Sequence, residues 1–178
     1  MTSRLLLAFS LVALSFQVSA AEPTTGPVID GYGASFVVEN SDVPLLENHV
    51  YKVVFEITEY DSDLGTVNRN LDRVARFLNL HAKNGVSPEN IQAAVVMHGA
   101  ALVNALSNEA YQARFEQDNP NLDLVQKLAA AGVRLYVCGQ SMAGRGFEKS
   151  ELSEPFKLAT SALTMMHQLQ YEGYTIQP

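Results

Sequence analysis

Ile91-Gln92-Ala93-Ala94-Val95-Val96-Met97-His98-Gly99 is the stretch that decides the fold. Seven residues run from Ile91 to Met97 with a single polar side chain, Gln92. A strand so poor in polar residues is buried on both faces, the signature of a parallel sheet with helices packed on either side. Upstream, Ser87-Pro88-Glu89 reads as a cap and one turn leading into this strand. Further back, Val67, Leu71, Val74, Leu78 and His81 recur at helical spacing, and Asn84-Gly85 stops that helix. Before it, Val50 to Ile57 is β-branched and aromatic, a second strand.

Downstream, Ala100 to Leu106 and Asn108 to Phe115 read as helices, with Ser107 as the cap between them. Asn119-Pro120-Asn121 breaks the chain; Leu122, Val125, Leu128 and Ala129 form the next helical face, and Gly132 ends it. Val133 to Val137 is a third strand. Pro155 is read as opening a long last helix with Leu158, Ala162, Met166 and Leu169 on one side, closed by Gly173, and Tyr174 to Ile176 as an edge strand. With a short edge strand over Ala34 to Glu39, the count is about five strands. Strands alternating with helices imply right-handed crossovers and a mainly parallel sheet covered on both faces.

The ends divide the chain. Arg4, an apolar run from Leu5 to Val18 and small residues at Val18-Ser19-Ala20 have the three parts of a secretory signal, with cleavage expected after Ala20. The apolar run of about 14 residues is short of the roughly 20 that span a bilayer. Residues 1–20 are therefore read as a signal peptide, 21–48 as an N-terminal tether with a possible edge strand, and 49–178 as the α/β domain. Within the tether, Glu22 to Gly33 is rich in Pro and Gly, and Asn40 to Asn48 is a loop interrupted by Pro44. The expected location is periplasmic or secreted, with no membrane contact after cleavage.

The chain has 12 Lys and Arg against 19 Asp and Glu, a formal charge of −7. Without Arg4 the count is 11 against 19, or −8. With no Lys/Arg cluster, this speaks against a nucleic-acid surface, which needs a basic patch. A lone cysteine, Cys138, is unusual for an exported chain. It forms no disulfide within the chain, so it is buried and inert, bonded outside the chain, or chemically employed.

In open parallel sheets ligands bind beyond the carboxyl ends of the strands. One strand runs into His98-Gly99 and another into Cys138-Gly139-Gln140-Ser141. If the two are neighbours, an imidazole and a thiol share one rim, and a helix starting near Ser141 would favour the thiolate. The plain alternative is a cysteine packed as a small hydrophobe and a histidine that is merely satisfied. Arg145, seven residues beyond Cys138, would share a helical face with it and could meet an anionic group at the sulfur, unless it is a solvated residue of a Gly-rich loop.

Gly139-Gln140-Ser141-Met142-Ala143 also resembles a nucleophile elbow with alanine in place of the last glycine. The histidine available to a hydrolase later in the chain, His167, falls inside the final helix. The four histidines, His49, His81, His98 and His167, have no metal-ligand spacing, and there is no Cys-x-x-Cys. No P-loop or dinucleotide fingerprint is present, so no cofactor is expected.

The runs Phe77-Leu78-Asn79-Leu80-His81-Ala82, Val95-Val96-Met97-His98-Gly99, Asn119-Pro120-Asn121 and Val137-Cys138-Gly139-Gln140-Ser141 resemble the DsrE/DsrF-like family, most closely its exported branch. The resemblance extends from about Val28 to Tyr174. It implies a three-layer α/β/α domain and homo-oligomers. In the family's cytoplasmic sulfur-relay members a cysteine carries sulfur as a persulfide and an Arg-Gly follows seven residues later, which maps onto Cys138, Arg145 and Gly146. Two functions follow as expectations. One is a sulfur carrier or transferase-like protein using Cys138, with a sulfur-donor or acceptor protein as partner. The other is a non-catalytic oligomeric module that binds a small ligand or partner at the strand ends.

Overall fold

The computed structural model describes residues 21–61 and 63–177, so the expected signal peptide lies outside the described residues. The chain order is β1 (Tyr51–Ile57), α1 (Arg69–Lys83), β2 (Ile91–Met97), α2 (Asn108–Phe115), α3 (Leu122–Ala130), β3 (Arg134–Cys138), α4 (Gly139–Arg145), β4 (Lys157–Ala159), α5 (Ala162–Tyr171) and β5 (Thr175–Gln177). Short 3-10 turns cover Pro88–Asn90, Gly99–Ala105 and Lys149–Glu151. All five strands are parallel, in the order β4-β3-β2-β1-β5. The fold is the three-layer α/β arrangement.

Alternation along each strand splits the core in two. Val53, Phe55 and Ile57 of β1, Ala93, Val95 and Met97 of β2, and Leu135 and Val137 of β3 pack with α1, α3 and Met142 of α4. On α1 the inward stripe is Leu71, Val74, Ala75 and Leu78, each 2% exposed or less. A leucine so buried contributes about 1.5–3 kcal/mol relative to exposure. The opposite face, with Val54, Ala94, Val96, Tyr136 and Cys138, packs with Ala162, Met165, Met166 and Leu169 of α5 and the neighbouring Tyr174. Helix α1 starts on Asn68, whose Oδ1 accepts from the N–H groups of Asn70 and Leu71 at 2.9 and 3.3 Å.

Four expectations are corrected. The helix read from Pro155 does not begin there. Lys157–Ala159 pairs with Tyr136–Cys138 as β4. Helix α5 starts after Ser161, whose Oγ accepts from the Thr164 N–H at 3.0 Å. Leu158 therefore belongs to an edge strand. The edge strand expected over Ala34 to Glu39 is reduced to one bridge, Ser35 with Thr24, so the fifth strand is β4 rather than this segment. The stretch read as a tether is docked on α1 instead. Asn79, fully buried, accepts from the Val28 and Ile29 N–H groups and donates to the carbonyls of Ile29, Tyr32 and Gly33. Ile29 is only 1% exposed. The segment Ala100 to Leu106, expected as a helix, is instead a 3-10 run over Gly99–Ala105. Among the described residues no helix is long and apolar enough to cross a membrane.

Candidate functional site

The three central strands end at one rim. Ile57 is level with Met97, and Met97 with Val137, so the next residues, His98 and Cys138, end adjacent strands side by side. Parallel strands lie roughly 5 Å apart. Period-two alternation puts Glu56, His98 and Cys138 on the same face of the sheet as Val54, Val96 and Tyr136, the α5 face.

These three side chains line a cavity of about 360 Å³ between the sheet and α5. Gln140, Ser161, His167 and Gln170 complete its polar wall; Ala162, Leu163, Met166 and Ile176 are apolar. The His98 Nε2 lies 2.8 Å from Glu56 Oε1. A carboxylate only accepts, so Nε2 carries the proton in this pair. Both side chains keep partial contact with solvent.

Cys138 is 4% exposed, yet its side chain forms part of the cavity wall. Burial pushes the thiol pKa up. The Ser141 hydroxyl and the backbone N–H groups of Ser141, Ala162 and Gln140 oppose this, and the net result lies below the ordinary thiol value. Ser141 is itself held: its Oγ accepts from the Gly99 N–H at 3.2 Å, which leaves its proton for the sulfur. Two glycines make this arrangement. Gly99 has φ +62°, and a Cβ there would sit 3.2 Å from the Thr58 carbonyl oxygen. A Cβ on Gly139 would come within 2.9 Å of the Ala159 carbonyl and 3.3 Å of that of Thr160. Gly139 thus lets the turn after Cys138 press against the β4–α5 link that supplies the Ala162 N–H.

Residues 50–178 match the model of the DsrE/DsrF-like family. The chain belongs to the DsrE/DsrF-like family. A solved structure of a protein of unknown function from Methanobacterium thermoautotrophicum is similar at a TM-score of 0.53 with 22% sequence identity, over 71% of this chain and 97% of that one. It shares the fold. No curated protein matches the chain.

Within this DsrE/DsrF-like domain, the residues expected at the site are not all brought together. His98 and Cys138 share the cavity. Arg145 is the last residue of α4, which begins at Gly139. Six residues of helix carry it about 9 Å along the axis, and it is exposed and outside the cavity wall. Sequence reasoning missed Glu56, the one carboxylate in an otherwise apolar half-strand. It also missed the role of the Ser141 hydroxyl, Ser141 having been read as a helix start and part of a nucleophile elbow, and it placed His167 in the final helix without bringing it to the cavity it reaches from α5.

Proposed function

We propose that this DsrE/DsrF-like protein is exported to the periplasm or secreted, and handles sulfur through a persulfide on Cys138 as a carrier or transferase-like protein. The observation that carries the reading is a lone thiol, held below its ordinary pKa, in the wall of a cavity it shares with the His98–Glu56 pair. The thiolate is the form that attacks sulfur. Association of the family with sulfur relay supports the same chemistry. In this reading His98 lies beside the reacting sulfur, and Arg145 attracts partners from outside the cavity. Export rests on the signal pattern of residues 1–20. Homo-oligomer formation is supported by Leu163 and Tyr171 of α5, which are 86% and 90% exposed. A donor or acceptor protein is the expected partner.

The test is intact-mass spectrometry of protein purified from the exported fraction, before and after exposure to polysulfide. A gain of one sulfur atom that Cys138→Ser abolishes is expected; an unchanged wild-type mass defeats the reading. The near-complete burial of Cys138 and the apolar side of the cavity favour a second reading, a module that binds a small ligand without chemistry. That reading takes over if the thiol neither gains sulfur nor alkylates.

A further inference from the structure

The cavity around Cys138 has a definite charge character. Glu56 is its one carboxylate, and its other polar walls are the imidazoles of His98 and His167 and the uncharged Gln140, Ser161 and Gln170. Among the described residues no Lys or Arg lines it. Its remaining wall is apolar, through Leu163, Met166 and Ile176. An anion entering such a space gives up water, meets no permanent cation and lies beside a carboxylate. The protein as a whole, at −7, adds repulsion at longer range.

We propose that the Cys138 cavity selects sulfur donors that are uncharged or cationic around the reacting sulfur, and discriminates against anionic ones such as thiosulfate. This rests on the persulfide reading and assigns its substrate class. With an uncharged persulfide R–S–SH, the Cys138 thiolate attacks the terminal sulfur. The new Sγ–S bond forms as the donor's S–S bond breaks, and R–S⁻ leaves with the electron pair. The transferred sulfur keeps its proton. The cysteine sulfur is oxidised by the amount that the donor's inner sulfur is reduced, so no further oxidant takes part. Glu56 sets the selectivity, because it is the fixed negative charge beside the path of the donor's substituent, and His98 holds it there through the 2.8 Å hydrogen bond.

Three methanethiosulfonates test this, two of them similar in size and opposite in charge. They carry a methyl, an ethylammonium or an ethylsulfonate group and all expel methanesulfinate when a thiolate attacks. Labelling of the full-length folded protein is followed by intact mass at a mildly alkaline pH, above the range in which ordinary imidazoles are charged. Each rate is divided by that of 2-mercaptoethanol with the same reagent. The sulfonate reagent should then be slower than the methyl reagent by about tenfold or more, with the ammonium reagent at least as fast as the methyl. Glu56→Gln should narrow the methyl-to-sulfonate gap to about threefold or less, and raising the salt should narrow it in the wild type, which needs no substitution. A sulfonate reagent that labels as fast as the methyl one overturns the proposal, as does a gap that neither Glu56→Gln nor salt changes. If none of the three reagents labels Cys138, the sulfur-carrier reading itself fails and takes this inference with it.

Discussion

Ser141→Ala removes one hydroxyl from the sulfur and, with it, the acceptor of the Gly99 N–H. In the native site the hydroxyl accepts from the Gly99 N–H at 3.2 Å and donates to Cys138. A hydrogen bond to a charged group is worth about 1.5–3 kcal/mol. At 1.36 kcal/mol per pKa unit, its loss raises the thiol pKa by about one to two units. The backbone N–H groups of Ser141, Ala162 and Gln140 remain and continue to favour the thiolate. The expected rise is therefore at the lower end, about one unit. The assay is the iodoacetamide alkylation rate as a function of pH. Wild type should show a midpoint below that of an ordinary thiol. In Ser141→Ala the rate near pH 7 should fall by about tenfold. Linkage has a fixed sign here, because the folded-state thiol pKa is lowered. The stability drawn from the thiolate is present above the unfolded thiol pKa and is lost as the pH falls through the folded value, and Ser141→Ala should flatten that dependence. A midpoint in the variant within about 0.3 unit of wild type would refute the role given to Ser141.

His98→Ala should also slow alkylation near neutral pH, but with a smaller shift in midpoint than Ser141→Ala, because the hydroxyl and amide donors stay in place. The reverse ranking would assign the acidity of the thiol to the imidazole. Gly139→Ala forces the Ala159 and Thr160 carbonyls back from a Cβ that would lie 2.9 and 3.3 Å away. It should cost about 1–3 kcal/mol in denaturant unfolding and raise the alkylation midpoint, because the same link carries the Ala162 N–H; unchanged unfolding would remove the close-approach argument. Asn79→Ala deletes the amide that fastens Val28 to Gly33 onto α1. It should destabilise by about 2–4 kcal/mol and open residues 21–35 to protease, and a segment that stays protected would show that Ile29 and the Asp72 and Lys83 hydrogen bonds to Gly33, Thr24 and Ser35 hold it without Asn79.

How much of this was legible depends on how long each signal runs. Strands β1, β2 and β3 are five to seven residues of mostly apolar sequence, enough to reveal a doubly buried strand. Strand β4 has three residues, Lys157-Leu158-Ala159, too few to show any period. Leu158 and Ala162 happen to be four apart, so strand, turn and helix together imitate one helical face. The docking of residues 28–33 was hidden for another reason. It depends on Asn79, a polar side chain beside the apolar stripe of α1, whose partners are backbone groups about 50 positions away. Asn119-Pro120-Asn121 was legible as a break but not as a buried polar cluster. Asn121 accepts from the Asn68 N–H at 2.8 Å and donates to the side chains of Asn104 and Asn119. At the site, Cys138 and His98 were found because they follow strands, where chemistry is sought. Glu56 precedes the end of its strand, and only alternation together with the strand order β3-β2-β1 brings it beside His98.

The position of the cavity follows from the unequal covering of the sheet. Helices α1, α3 and α4 share one face with the core side chains of β1, β2 and β3. Among the described residues the other face has α5 as its one helix, which packs on β2, β3 and β4. A helix with side chains is about 10–12 Å across, whereas five strands spaced about 4.8 Å apart span roughly 19 Å. One helix therefore cannot cover the sheet: Val54 is still buried under it, but on the same face the carboxyl end of β1 and strand β5 are left open beside it. Glu56 and Ile176 lie on that uncovered part, 45% of Ile176 remains exposed, and the flank of α5 contributes Leu163, Met166 and His167 to the opposite wall. A charged Glu56 is tolerated in a strand otherwise buried because water reaches it there. His98 can then pair with that carboxylate, and the thiol of Cys138 faces a space with two walls of different chemistry. The two faces of one sheet thereby take separate roles. Substitutions among Phe55, Val95 and Leu135 are expected to act on stability through the packed side, and those at Glu56, His98 and Ser141 on the proposed reactivity and selectivity of one sulfur atom.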